Sequence, residues 1–500
     1  MNQSTPVKGF AGFLQKFLCL RTAPRELWII YFAYILENLA YKAGAASVLT
    51  LWLSDDLGFD DVKAGAMVAG WSAIMTLITV FVGSLTDAVG IRRTFLLGFI
   101  ICLISRLVMT SSTNPWIALP GGLYLQAIGL ALMVPVMIMA VKRYTNAAQR
   151  SMAFSLYYAL MNLGYACGDW ILDTVRAKPP IGLGEHGSWL LPWTSIELST
   201  YRVLILLSVI FTVPGLLLIW GFVRNGVEMT ETGVKITPQV SSTDIGTPWL
   251  LTLWNNGKAT AIHTGKIFSG LWGQPKIYQF LLFMSLVVGV KMIFFHLNFT
   301  FPKFAIRELG DGAPFAKLTG MLNSLLIVVL VPICGALTQK VTAYRMVTVG
   351  SLISALSVFF MAMPPEWFKS LADGWLGQTI ATRLGVAGQV NPLFVSIFFF
   401  VIFLSIGEAL WSPRLYEYSA AIAPRGQEAS YMALSLLPFF GAKLLVGGIS
   451  GPLLTHYCPS TGPRNSGMMW LIIGSIALIT PVGAYLFRNK IQVQEEGRNK

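Results

Sequence analysis

Charge is scarce in this 500-residue chain. Asp, Glu, Lys and Arg together make up 12% of it, about half of the roughly 25% carried by ordinary soluble domains, which excludes a solvated globule. Histidine is rarer still. The four, scattered from His186 to His456, supply neither an HExxH helix nor a cluster that could hold a metal. The sequence also lacks a GxxxxGK[ST] loop, which argues against a primary pump. It has no nucleophile with a nearby base, which argues against an enzyme. The five cysteines (Cys19, Cys102, Cys167, Cys334 and Cys458) form no CxxC pair, so they read as packing residues with no disulfide framework. No metal and no cofactor are expected. Four basic residues precede the first apolar run, and no cleavable signal pattern follows them.

Apolar length is what the chain has in excess. Hydrophobic residues make up 55% and the mean hydropathy is +0.64. They fall in runs of roughly 20 residues, enough to cross about 30 Å of hydrocarbon as helices. Twelve such runs are expected, near 27–53, 64–86, 94–112, 116–141, 151–173, 202–223, 277–300, 317–338, 346–363, 393–416, 427–454 and 467–487. A net charge of +13 would suggest nucleic acid in a soluble protein. Here its distribution points to a lipid bilayer instead. With both termini cytoplasmic, about 22 of the 36 Lys and Arg residues lie on the inner side against about 10 outside, the positive-inside bias. The expectation is a monomeric multi-pass protein of a plasma or bacterial inner membrane, binding a small molecule and no nucleic acid.

The organisation follows from the one long polar stretch. Residues 224–276, with Lys235, Lys258, Lys266 and Lys276, read as a cytoplasmic linker, in which Trp249 to Trp254 (WLLTLW) suits a short surface-lying helix. It separates a six-helix unit at 27–223 from another at 277–487, flanked by segments 1–26 and 488–500. A weak repeat joins the two. GSLTDAVGIRRT begins at Gly83 and GALTQKVTAYRM begins 252 residues later at Gly335, both with Gly-x-Leu-Thr and both placing an arginine, Arg93 or Arg345, at the start of the next run. The fold class expected is an all-α membrane protein of twelve transmembrane helices in two pseudo-symmetric six-helix bundles, with a site between them near the midplane.

Within the tenth run lies a group that lipid should not tolerate. SIGEALWSP, from Ser405, puts Glu408 in the middle of an apolar stretch, with Pro413 five residues on. An ionisable group at this depth faces a cavity or a partner, and a proline frees carbonyls beside it. The plain alternative is a charge paired with a neighbouring helix.

Gly83-x-Leu85-x-Asp87-x-x-Gly90-x-Arg92-Arg93 resembles the loop 2–3 signature of the major facilitator superfamily. The resemblance implies gating roles for Asp87, Arg92 and Arg93. Three further stretches resemble the proton-dependent oligopeptide transporter (POT) family. FSLYYALMNLGYACG from Phe154 keeps Tyr158, Asn162 and Gly164 of F-Y-x-x-I-N-x-G, with Tyr157 where the Phe belongs. LNSLLIVVLVPI from Leu322 keeps Asn323 and Pro332, with Ser324 for the first proline. GEALWSP and the following AAIAP resemble G-E-L-x-x-S-P and the later L-A-P. The resemblance implies a proton-driven carrier of small peptides in which Glu408 meets the substrate's amino terminus, while Asn162 and Asn323, with Tyr158 and Tyr41, line the site. The chemistry is sensible, since a carboxylate offers an ammonium only acceptors and an amide offers both donors and an acceptor.

The departures bear on substrate. The family's E-x-x-E-R-F-x-Y-Y becomes YILENLAYK, so Tyr34 replaces the first Glu, Asn38 the Arg and Lys42 the second Tyr, while Glu37 and Tyr41 survive. G-L-F-K-P-N becomes ALMVPV, with Val134 for the lysine and Pro135 kept. The cations that hold a peptide's carboxylate are absent from their usual places. Lys42, Lys291 and Lys443 are the candidate replacements, and Lys291 or Lys443 could pair with Glu408 in the empty site. Glu37 and Glu408 are the candidate proton-coupling groups, with a proton gradient as driving force. Glu37 and Lys42 should face different neighbours, being about 140° apart on a helix. Arg106 is expected to snorkel to the surface, Asp169 and Asp173 to be hydrated with Arg176 near, and His296 to be a satisfied polar residue. The expected function is alternating-access transport of a small polar, amine-bearing or peptide-like solute. The alternatives are a carrier or uncoupled facilitator for an organic anion or sugar derivative, and a non-transporting sensor.

Overall fold

Backbone polar groups in lipid must be satisfied within the segment that carries them, and the apolar runs accordingly form helices. The computed structural model describes residues 19–492 apart from 193–194, 231–232, 237–272, 274, 339–340, 387 and 423–436. The long helices are α1 (Arg25–Tyr41), α2 (Asp61–Val89), α3 (Ile91–Ser111), α4 (Leu125–Arg143), α5 (Ala147–Arg176) and α6 (Thr200–Phe222) in the first half. The second half has α7 (Pro275–Phe299), α8 (Leu322–Leu337), α9 (Ala343–Ser357), α10 (Pro392–Ile422), α11 (Leu437–Tyr457) and α12 (Ser466–Ala477). Nine helical spans among the described residues are long and apolar enough to cross a membrane. Helices α1 and α5, which carry the ionic groups described below, are outside that set. Most of the expected linker, with WLLTLW, Lys258 and Lys266, lies outside the described residues, as do residues 427–436 of the eleventh run and the end of AAIAP.

Local chemistry sets the helix ends. The Asp60 side chain accepts from the Lys63 backbone N–H, Asn146 and Gln149 form a capping box, and Ser199 and Thr342 cap α6 and α9. Three helices are extended through π-type turns: α1 through Lys42–Ala46, α4 from Ala118–Tyr124, and α8 from Lys317–Met321. Such wide turns re-aim side chains, and the first of them holds Lys42. The repeat also has a structural counterpart, because α3 and α9 begin at Ile91 and Ala343, the same 252 residues apart as the two motifs.

Small residues let helices from different parts of the chain approach closely. Gly164 and Gly168 of α5 sit against Ile35, Asn38 and Lys42, and Gly447 of α11 sits against Ala69 of α2. A Cβ added at Gly447 would lie 2.9 Å from the Ala69 Cβ, whereas one at Gly448 would meet nothing. Gly447→Leu is therefore expected to destabilise the protein by about 1–3 kcal/mol through overpacking, with Gly448→Leu near wild type. Denaturant unfolding in detergent tests the pair, and equal effects would contradict the packing.

Helix α2 begins at the end of the molecule where α5, α7 and α11 finish. There Asp61 receives Lys303 at 2.8 Å and Arg307 at 2.8 Å, and Arg307 also donates to the Cys458 carbonyl at 2.6 Å. Burial pulls the Lys303 ammonium below its ordinary value, with the Asp61 carboxylate opposing that shift. Glu185 accepts from Arg176, from Tyr201 Oη at 2.6 Å and from the Gly312 backbone N–H at 3.2 Å. These contacts tie the two halves of the chain together at this end. Toward the other end of α8, Ile333 and Leu337 are exposed.

Candidate functional site

Glu408 is the hub of a polar cluster drawn from three helices. Tyr158 Oη, on α5, donates to its Oε1 at 3.4 Å. Asn323 Nδ2, on the first turn of α8, donates to its Oε2 at 3.1 Å and to Ser405 Oγ at 3.0 Å. Ser405 in turn donates to the Val401 carbonyl. The cluster joins residues 250 positions apart, so the two halves of the chain meet on one carboxylate. Glu408 is only partly buried and keeps some accessible surface. Asn162 is buried one turn along α5, where its amide donates to the Tyr158 carbonyl at 2.9 Å, and among the described residues no hydrogen bond joins it to Glu408. Tyr41 lies apart from the cluster, its ring 6.3 Å from that of Tyr165.

The three candidate lysines have different surroundings. Lys291 Nζ sits 3.6 Å from the Phe439 ring centroid and 4.4 Å from that of Trp411. It interacts with Glu408 through space, yet no hydrogen bond or ion pair reaches it among the described residues. Lys443 contacts Met75 Sδ at 3.9 Å and lies 5.4 Å from the Trp71 and Phe295 rings, so it serves the α2–α7 side and not Glu408. The expected ion pair of either lysine with Glu408 is thus not formed. Lys42 stands 3.3 Å from Asp169 and donates to Asn298 Oδ1 of α7 at 3.3 Å.

Three further expectations need correction. Arg106 does not snorkel. It is fully buried and grips both oxygens of Glu37 at 2.6 and 3.0 Å while donating to Thr212. Six residues from a helix end leave the side chain free to reach water, but a carboxylate on α1 holds it inside, since an unpaired charge there would cost far more. Asp169 and Asp173 are not hydrated either. Both are buried, Asp169 beside Lys42 and Asp173 with Arg176 at 2.9 Å, against the π turn that precedes α8. The Arg176 expected near these two carboxylates does pair, with Asp173. Glu37 and Lys42 do face different neighbours, and His296 is satisfied only in part: its Nδ1 pairs with Thr300 Oγ1 at 2.7 Å, while its buried Nε2 has no partner among the described residues.

Sequence reasoning missed the pairing of Tyr34 with Tyr157. Tyr34 Oη donates to Tyr157 Oη at 2.8 Å and the rings stack 4.9 Å apart, so a phenol pair occupies the place of the family's first glutamate. The two departures at Tyr34 and Tyr157 were each visible, and nothing in the spacing joined them. Around the repeated motif, Arg92 donates to the Trp220 carbonyl at 2.5 Å and Arg93 is exposed. The Asp87 side chain lies outside the description. Among the described residues, His, Cys, Asp and Glu form no group that could hold a metal ion, and Cys102, Cys167, Cys334 and Cys458 are free thiols.

The family model of the Major Facilitator Superfamily matches residues 27–388, most of the chain. The chain belongs to the major facilitator superfamily. It is a multi-pass membrane transport protein and not an enzyme. This facilitator is similar to a solved POT family transporter in complex with 5-aminolevulinic acid, with 17% identity, a TM-score of 0.65 and coverage of 98% of this chain and 99% of that one. It is also similar to a mutant peptide transporter POT in complex with alafosfalin (17%, TM-score 0.66, 97% and 96% covered) and to a D-xylose-proton symporter (13%, TM-score 0.61, 95% and 99% covered). At such identities the likeness is one of fold. No curated protein matches the facilitator by sequence.

Proposed function

We propose that the chain is a twelve-span secondary transporter, built as two six-helix bundles with both termini cytoplasmic. It moves a small amine-bearing or peptide-like solute by alternating access, driven by protons. The observation that carries this reading is the Glu408 cluster, in which Tyr158 from one half and Asn323 from the other converge on a partly accessible carboxylate. Such a carboxylate can take a substrate ammonium when ionised and a proton when the substrate has left. Glu37 suits the proton role less well, because Arg106 occupies both of its oxygens. The ionic contacts around Asp61 and Glu185 fit closure at the outer end, with Asp87, Arg92 and Arg93 acting at the inner end during gating. The test is reconstitution. Purified protein in liposomes should accumulate an amine-bearing solute when the outside is acidified, and solute that only equilibrates would reject proton coupling.

Plain dipeptides fit this site poorly. Arg106 is held by Glu37 and Lys42 by Asp169, and Asn38 donates to the Tyr34 carbonyl at 2.7 Å. A peptide reaching across from Glu408 would find no free cation there, and would forgo charge-assisted bonds worth about 1.5–3 kcal/mol each. Dialanine is expected to raise the melting temperature less than amines or carboxyl-modified peptides do. A larger shift with dialanine would contradict this.

A further inference from the structure

Lys291 is a buried lysine with no hydrogen-bond acceptor among the described residues. It keeps 6% of its surface, and its described neighbours are the faces of Trp411 and Phe439. Aromatic faces attract a cation but accept none of the hydrogen bonds its three N–H groups can make, and a buried donor without an acceptor is costly. Among the cations of the neighbouring helices, Arg106 has Glu37, Lys42 has Asp169 and Arg176 has Asp173, whereas Lys443 faces Met75 and two rings on the α2–α7 side. Lys291 is placed beside the site by Trp411, which is three residues from Glu408 on α10 and so on the same helix face. Asn323 holds Glu408 through its Nδ2, leaving its Oδ1 without a donor among the described residues. The second half of the chain thus presents, close together, an acceptor group and an unsatisfied donor group.

We propose that Lys291 is the anion-binding pole of the substrate site, so that Lys291 and Glu408 together select compact zwitterions whose ammonium and carboxylate are a few bonds apart. The inference rests on the carrier reading in placing the substrate ammonium on Glu408, and it names the substrate class. On binding, the ammonium of the solute takes Glu408 and Asn323 Oδ1, while its carboxylate draws Lys291 Nζ off the two rings. Both poles lie on α7 and α10, in one half of the chain, so a solute shorter than a dipeptide satisfies both. A residue that merely offset the charge of Glu408 would show no dependence on the carboxylate of the ligand.

The test uses full-length purified protein and a series of short ω-amino acids, each with its methyl ester, titrated by calorimetry. Wild type is expected to bind at least one acid about tenfold or more tightly than its ester. Lys291→Gln should bring that ratio near one by weakening the acid and sparing the ester, and Lys291→Arg should keep most of the preference, which guards against loss of fold in the Gln variant. An ester bound as tightly as its acid, a preference that survives Lys291→Gln, or no acid bound at all would overturn the proposal. Flux separates this from the carrier reading. Amine uptake by Lys291→Gln with the preference intact removes the inference and leaves the carrier. Lys291-dependent binding with no uptake in liposomes removes the carrier and leaves the site.

Discussion

Glu408→Gln is expected to lower gradient-driven accumulation at least tenfold, equivalent to about 1.4 kcal/mol. Glutamine fills the same volume and keeps one oxygen to accept from Asn323, while its NH2 can donate to the Tyr158 hydroxyl, the two groups that position Glu408 at 3.1 and 3.4 Å. It loses the negative charge that attracts an ammonium, and it cannot take up and release a proton. Binding and coupling should therefore fall together while the helices remain packed. Melting temperature without ligand is the control and should change little, because removing a partly buried charge also removes its desolvation cost. Uptake unchanged in this variant would remove Glu408 from the mechanism.

The second large effect concerns stability. Arg106→Met should destabilise the protein by about 3–5 kcal/mol, the usual result of stripping one partner from a buried ion pair. Glu37 would be left 4% exposed with neither guanidinium contact, and Thr212 would lose a donor. Adding Glu37→Gln in the same chain should recover most of the loss, since two neutral side chains leave no orphaned charge. Denaturant unfolding of the single and double variants checks this. A double variant as unstable as Arg106→Met would mean that Arg106 acts through packing alone.

The residues easiest to find in the sequence were those that contradict their surroundings. Glu408 and Asn323 stand out in apolar runs because polar groups there are costly, and both lie in one cluster with Tyr158. The repeat at Gly83 and Gly335 was legible for a different reason, since a duplicated helix start preserves its spacing whatever the side chains become. What stayed hidden was pairing across helices. Glu37 and Arg106 are 69 residues apart, and no spacing rule says that α1 and α3 present them to each other. Lys42 and Asp169 were obscured in the same way, with a π turn at Lys42–Ala46 shifting the helix face on which Lys42 falls. Lys291 and Lys443 look alike in sequence, each alone in an apolar helix. Only packing distinguishes the one near Glu408 from the one beside Met75.

Proton-driven flux is the most direct measurement of the central claim that a site shared between the two halves carries solute across the bilayer. The compound giving the largest thermal stabilisation should be labelled and offered to proteoliposomes at acidic external pH. Accumulation above equilibrium that a protonophore collapses is the predicted result. Saturable binding of that compound with no entry into the lumen would contradict it.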